Sequence, residues 1–314
     1  MHASTLVAAL SSIAFSLSVS AQCLDTTYVG GNGLHGAMFD VRALNDLTIE
    51  AFDTHLAPHV DGYDLEVYAV TGGGTYVGNQ SNPAAWTLIG SVTDVISAGG
   101  GTATPIPIAV GWPMLANDVQ GFYVVISGAV FSGHLMAYTN GTAAGNLFAS
   151  DANLEFFEGA GSGYPFGGSP SPRIWNGTIR YSSFGSTPCA LATNYGDGCG
   201  GLTLSSTLPT LASSVDVMTN NLPVGTLAGV LAAGFTTLEP GVDLTSNGAP
   251  GCYLNLVSVV SLSWFPTAPS ASIALPNNPA LYGQTFAVQS AALVPGINAL
   301  NLVTSHGMKF TIGL

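Results

Sequence analysis

Apolar and polar positions alternate along most of this chain, in short runs rich in Val, Ile, Thr, Tyr and Phe that Gly, Asn, Pro and Ser separate. A period of two marks strands, whose successive side chains point to opposite faces. In the first half the runs predict strands over 37–44, 46–56, 63–71, 86–95, 104–110, 121–131, 134–140, 147–157 and 173–182. The clearest is 63–71, where Asp64, Glu66 and Tyr68 alternate with Leu65, Val67 and Ala69, giving one wet and one buried face. Asp61-Gly62 precedes it as a hairpin signal, because Asp-Gly accepts the positive φ of a type I′ turn. The second half predicts strands over 201–211, 215–220, 226–235, 252–264, 270–275, 283–293 and 299–312. Segment 226–235 has enough Ala and Leu for a helix, but Gly225, Gly229 and Gly234 punctuate it, so a strand pair or a short helical turn fits as well.

This pattern predicts an all-β fold: an N-terminal jelly-roll-like β-sandwich over 22–183, then a smaller immunoglobulin-like β-sandwich over 195–314. Segment 184–194, where composition changes, is the expected linker. The carboxylates divide in the same way. Thirteen of 17 lie between Asp25 and Glu158, and Asp197, Asp216, Glu239 and Asp243 are the rest.

Ahead of the strands, a mostly apolar, serine-broken run ends Val19-Ser20-Ala21, as a secretory signal peptide over 1–21 would. Its n-region carries His2 and no Lys or Arg, a departure from the usual pattern. The run is too short and too serine-rich for a membrane span, and Gln22 before Cys23 does not suit lipid attachment. The expected location is therefore secreted or cell-surface, with no membrane insertion of the mature chain. Cys23, Cys189, Cys199 and Cys252 then read as disulfide partners in an oxidising compartment. Of the three possible pairings, Cys199–Cys252 with Cys23–Cys189 is favoured. A local Cys189–Cys199 loop is the alternative.

Composition removes several functions. Arg42, Arg173, Arg180 and Lys309 are the only basic residues against 17 acidic ones, for a net charge of −13. Nucleic-acid binding needs clustered cations, and none exist. Charged residues are only 7% of the chain, so solubility rests on Ser, Thr, Asn and Gly.

Candidate chemistry is sparse. Gly31-x-Gly33-x-x-Gly36 matches a dinucleotide fingerprint in letters but leads into a strand-like segment, whereas the fingerprint opens a helix. The densest polar cluster runs from Asp53 through His55, His59 and Asp61 to Asp64 and Glu66. Asp53, His55, His59 and Asp61 are candidate ligands for calcium or a transition metal, against the plainer reading of a solvated hairpin end. No other cofactor is expected. Asp151, Glu155 and Glu158 are the nearest approach to a hydrolytic carboxylate pair, and no nucleophile elbow or zinc-protease motif is present. His134 and His306 lack a recognisable nucleophile partner. Trp112, between Gly111 and Pro113, is the tryptophan expected to be exposed as a stacking platform, while Trp86, Trp175 and Trp264 read as core. Asn79, Asn140 and Asn176 open N-glycosylation sequons that read as turn and strand residues.

Two stretches are familiar. Residues 31–33, 38–41, 47–49, 52–53, 82–87, 104–108, 138–141, 157–159 and 172–177 resemble a bacterial secreted β-sandwich module. Tyr195-Gly196-Asp197-Gly198-Cys199, with Gly251-Cys252 and Pro279-Ala280-Leu281-Tyr282-Gly283, resembles a C-terminal module of exported proteins from planctomycete-type bacteria. That resemblance implies export, a bacterial source and a Cys199–Cys252 bond, and it carries no activity. The expectation is a non-catalytic exported surface, matrix or binding protein with polysaccharide or cell-surface protein as partner. The alternative is a secreted carbohydrate-active hydrolase using carboxylates of the first sandwich.

Overall fold

The computed structural model describes residues 22–128, 133–183 and 189–313. The expected signal segment and the first part of the expected linker, 184–188, lie outside the described residues. Among the described residues, regular structure is all strand apart from three short 3₁₀ turns, so the chain has the all-β sandwich fold its alternation implies.

In the first half, one five-stranded sheet carries Cys23–Asp25, Gly177–Ser183, Leu47–Thr54 and Thr104–Pro105 in that order, with Trp112–Met114 also paired to Leu47–Thr54. Facing it is a seven-stranded sheet in the order Leu147–Ser150, Leu154–Phe157, Gly36–Ala43, Val119–Ile126, Tyr63–Val70 and Trp86–Val95. Ala160–Ser162 is a further partner of Gly36–Ala43. A small third sheet joins Arg173–Trp175, Met136–Asn140 and Asn32–Leu34. Inward side chains of the two large sheets form one aromatic core. Phe39 stacks on Trp175 with ring centroids 4.6 Å apart, and Phe52 meets Phe122 edge-on at 5.1 Å.

The second half repeats the principle on a smaller scale. A five-stranded sheet runs Leu191–Tyr195, Leu302–Thr311, Thr285–Leu293, Ala228–Gly234 and Val260–Trp264. It covers a three-stranded sheet of Thr203–Ser206, Ser214–Asn220 and Ser270–Ala274, with Trp264, Val217, Val288 and Phe310 in the core between them. Thr236–Asp243 and Tyr253–Val257 form a separate hairpin sheet. None of these sheets takes strands from both halves.

Both favoured disulfides are present, Cys23–Cys189 with Cα atoms 6.0 Å apart and Cys199–Cys252 with Cα atoms 4.8 Å apart, which overturns the Cys189–Cys199 alternative. Other expectations need correcting. Leu191–Tyr195 belongs to the second sandwich, paired to Leu302–Thr311, although its first residues were placed in the linker. Asp61-Gly62 is no hairpin turn. Leu47–Thr54 and Tyr63–Val70 lie in different sheets, so the chain crosses between layers there, and Tyr63–Val70 pairs with Trp86–Val95 and Val119–Ile126. The span 147–157 is interrupted because Asp151 Oδ1 accepts the main-chain N–H groups of Asn153 and Leu154, closing a turn. The span 252–264 divides because its two parts pair with different sheets. Segment 226–235 resolves as the interior strand Ala228–Gly234, between Thr285–Leu293 and Val260–Trp264.

Candidate functional site

The four proposed metal ligands are not brought together. Asp53 lies on the outer face of its sheet and is consumed by Arg180, whose Nε donates to Oδ1 at 2.8 Å and whose NH2 donates to Oδ2 at 2.5 Å. His55 is buried, and its Nε2 accepts the N–H of Gly101 at 2.6 Å. His59 Nδ1 accepts the N–H of Asp61 at 3.1 Å, and its ring lies 3.9 Å from that of His134. Among the described residues, no cluster of three or more His, Cys, Asp or Glu side chains is arranged to hold a metal ion.

Trp112 departs from its expected exposure. It is half-buried in the strand Trp112–Met114, its ring edge-on to Phe122 and its Nε1–H donating to Gln120 Oε1 at 3.1 Å. Trp86, Trp175 and Trp264 are buried, as expected. The three candidate hydrolytic carboxylates are all engaged in holding the fold. Asp151 caps its turn and accepts the Tyr181 hydroxyl at 2.5 Å. Glu155 pairs with Arg42. Glu158 is buried and accepts the Thr142 hydroxyl and the Ala143 N–H, both at 2.9 Å.

The groups that do converge lie on the outer, wet face of the seven-stranded sheet. Alternation on Tyr63–Val70 turns Leu65 and Val67 into the core and leaves Asp64, Glu66 and Tyr68 half-buried on the far side. Antiparallel register sets Tyr123 opposite Tyr68 on one neighbour. On the other, register sets Leu88 opposite Tyr68 and Ser91 opposite Glu66. The loop after Ala160–Ser162 then folds back over this face. It is anchored where the Tyr123 hydroxyl donates to Gly163 O at 2.9 Å, and it brings Tyr164 and Phe166 above the sheet.

The result is an aromatic cluster on this face, which we call the trough, with a carboxylate beside it. Tyr68 stacks on Tyr123 with centroids 5.7 Å apart and planes inclined by 25°, and Phe166 meets Tyr68 edge-on at 5.3 Å. Buried Trp86 lies beneath, and Leu88 stands at the margin, 49% exposed. The Tyr68 hydroxyl donates to Glu66 Oε2 at 2.5 Å, and the Tyr164 hydroxyl lies 3.5 Å from Glu66 Oε1. Burial first, and the Glu66 carboxylate next, raises the Tyr68 phenol above its usual range, so this hydroxyl remains a donor. Tyr164 is raised by the same two causes. A carboxylate has about four lone-pair sites, so Glu66 keeps acceptor capacity for a ligand beside the two tyrosines. Half-exposed rings supply flat apolar surface of the kind that sugar C–H faces cover.

A concavity separates the two sandwiches. It encloses about 520 Å³ and is mainly apolar, with Val92, Ile96, Pro107, Leu204 and Met308 among its walls. Its two carboxylates are Asp94 and Asp216. Asp94 is already bound across the junction, accepting from Thr203 Oγ1 at 2.9 Å and from Asn221 Nδ2 at 2.6 Å. The cleft has no aromatic wall, and its best-placed polar group serves to join the halves, which makes the trough the stronger candidate.

Sequence reasoning identified the wet face of 63–71 but not this set. Alternation was enough to put Glu66 and Tyr68 on one side. Nothing local could foretell that Tyr164 and Phe166 return over them.

No protein-family model and no curated protein matches the chain. Among solved structures, a β-glucuronidase from Ruminococcus gnavus in complex with D-glucaro 1,5-lactone is similar at 9% identity, over 87% of this chain and 36% of that one, with a TM-score of 0.18. The chain thus spans little more than a third of that enzyme's length, and a likeness at this score carries no argument.

Proposed function

We propose that this chain is an exported, non-catalytic binding protein that holds a glycan in the trough of its first sandwich. It would act as a surface or matrix component of a bacterium. The observation that carries the reading is the grouping of partly buried Tyr68, Tyr164 and Phe166, with both tyrosine hydroxyls on the carboxylate of Glu66. Asp151, Glu155 and Glu158 are held by structural partners, which favours binding over hydrolysis. Two disulfides suit an oxidising compartment and support export.

A glycan array run beside a broad polysaccharide hydrolysis panel tests this function. Glycan binding without turnover is expected, weakened about tenfold or more by Tyr68→Ala or Phe166→Ala, since each removes stacking surface worth about 1–2 kcal/mol. Turnover that survives repurification and disappears in Glu66→Gln would establish the hydrolase instead. An array with no binder would remove the glycan.

A further inference from the structure

The charge of the trough's ligand follows from an inventory of the chain's cations. There are four Lys and Arg residues, and none serves this site; the nearby His35 accepts the Tyr164 N–H through Nδ1 at 3.3 Å. Arg42 is paired with Glu155 and lies over the Phe157 ring at 5.8 Å. Arg173 lies over the Tyr138 ring at 5.5 Å. Arg180 is buried against Asp53. Lys309 belongs to Leu302–Thr311 in the second sandwich, opposite Thr193 and Ala287. An anionic sugar in the trough would therefore meet no compensating charge. It would meet the Glu66 carboxylate, and Asp64 two residues along the same face. Recognising a carboxylate or sulfate needs a cation or a cluster of N–H donors, as Arg supplies elsewhere.

A cationic group finds the opposite. Glu66 accepts without donating, and the faces of Tyr68 and Phe166 attract cations through their ring quadrupoles. We infer that the trough selects amino sugars, with the ring carbons on Tyr68 and Phe166 and the ammonium on Glu66, and that it rejects uronates and sulfated sugars. This deepens the glycan reading and rests on it.

The test compares three trimers by titration calorimetry on the full mature chain: a β-1,4-linked glucosamine trimer, its N-acetylated counterpart, and a galacturonate trimer. Short ligands at physiological salt avoid the diffuse attraction of a long polycation to a protein of net charge −13. The glucosamine trimer should bind about tenfold more tightly than the N-acetylated one, and the galacturonate trimer should not bind. Glu66→Gln should erase the preference, bringing the affinity for the glucosamine trimer down to that for the N-acetylated one. Ser91 is exposed and directly opposite Glu66, so Ser91→Lys adds a cation that can pair with Glu66 without disturbing the core and should weaken the preference for the glucosamine trimer. N-acetylated trimer binding that depends on Tyr68, but with no charge preference or with one indifferent to both variants, overturns this inference and leaves the glycan reading standing. If no trimer binds and Tyr68→Ala and Phe166→Ala change nothing on the array, both fail.

Discussion

Replacing Asp53 by Asn probes the residue on which the metal expectation and the observed ion pair disagree. In the folded chain the Asp53 and Arg180 side chains are 1% and 8% exposed, joined through two parallel N–H···O contacts. The remaining terminal nitrogen of Arg180 donates to Ala190 O at 2.7 Å, so the same guanidinium fastens the start of the second half. Asp53→Asn leaves that guanidinium buried without its counter-charge. Breaking a buried pair by removing one partner destabilises by about 3–5 kcal/mol, and the amide still accepts one hydrogen bond, which places the loss near about 3 kcal/mol. In a unit of this size each kcal/mol moves the unfolding midpoint by about 2–4 °C, so a fall of about 6–12 °C is expected by calorimetry. Only the first transition should move, provided the two sandwiches melt separately. Asp53→Leu with Arg180→Met should recover most of the loss, because a well-packed apolar pair often replaces a buried ion pair at no net cost. A loss under about 1 kcal/mol would refute the role given to the pair. So would a wild-type midpoint raised by calcium and no longer raised in Asp53→Asn, which would return Asp53 to a metal site.

Four further expectations accompany it. Replacing both Cys199 and Cys252 by Ser opens a bridge of sequence separation 53 and should destabilise the second sandwich by about 4 kcal/mol, leaving the first folded, as urea unfolding followed by separate probes would report. Non-reducing peptide mapping should recover Cys23 with Cys189 and Cys199 with Cys252, and a Cys189–Cys199 peptide would contradict the fold. Burial lowers the His306 pKa, and its Nε2 accepts the Leu204 N–H, so the folded state prefers the neutral ring. The stability this provides is complete above the unfolded value of about 6.5 and is lost as pH falls below it, so the second sandwich should weaken from pH 7.5 to 5, and His306→Asn should flatten that decline. All four tryptic sites lie inside strands, so the folded chain should survive trypsin for hours, whereas early cleavage at Arg42, Arg173, Arg180 or Lys309 would show that its strand opens.

What the sequence made legible follows from what alternation encodes. Period two tells which side of a strand is buried, and Tyr63–Val70 obeys it residue by residue. It does not tell which strand pairs with which, so Asp61-Gly62 resembled a hairpin while the chain was crossing to the opposite sheet. Strands as short as Asn32–Leu34, Trp112–Met114 and Ala160–Ser162 hold too few positions to show a period. Trp112 misled for that reason: its Gly and Pro flanks suggested an exposed loop, yet its strand pairs with Leu47–Thr54 and its ring lies on Phe122. The disulfides were more accessible, because four cysteines leave few pairings and each bridge closes on residues of its own sandwich or its border. The trough was the least accessible element. The contact from Tyr164 to Glu66 spans 98 residues, and no local propensity reports a contact of that range.

The scarcity of cations connects the fold to the proposed chemistry. Two of the four, Arg42 and Arg180, are spent neutralising Glu155 and Asp53, and the Arg180 pair can be buried only because it is matched in charge and geometry. Arg173 lies against a ring, and Lys309 is remote in the second sandwich. The remaining carboxylates of the first sandwich have no Lys or Arg to meet, only His59 beside Asp61, so their field persists beyond short range and is limited mainly by salt. A glycan surface on such a module cannot be tuned toward acidic ligands without importing a base, which is why a single Ser91→Lys exchange should have a large effect. On the proposed reading, Tyr68 and Tyr164 orient the Glu66 carboxylate, and the ring faces provide the area. The proposed selectivity would follow from the same composition that leaves the rest of the surface to serine, threonine and glycine.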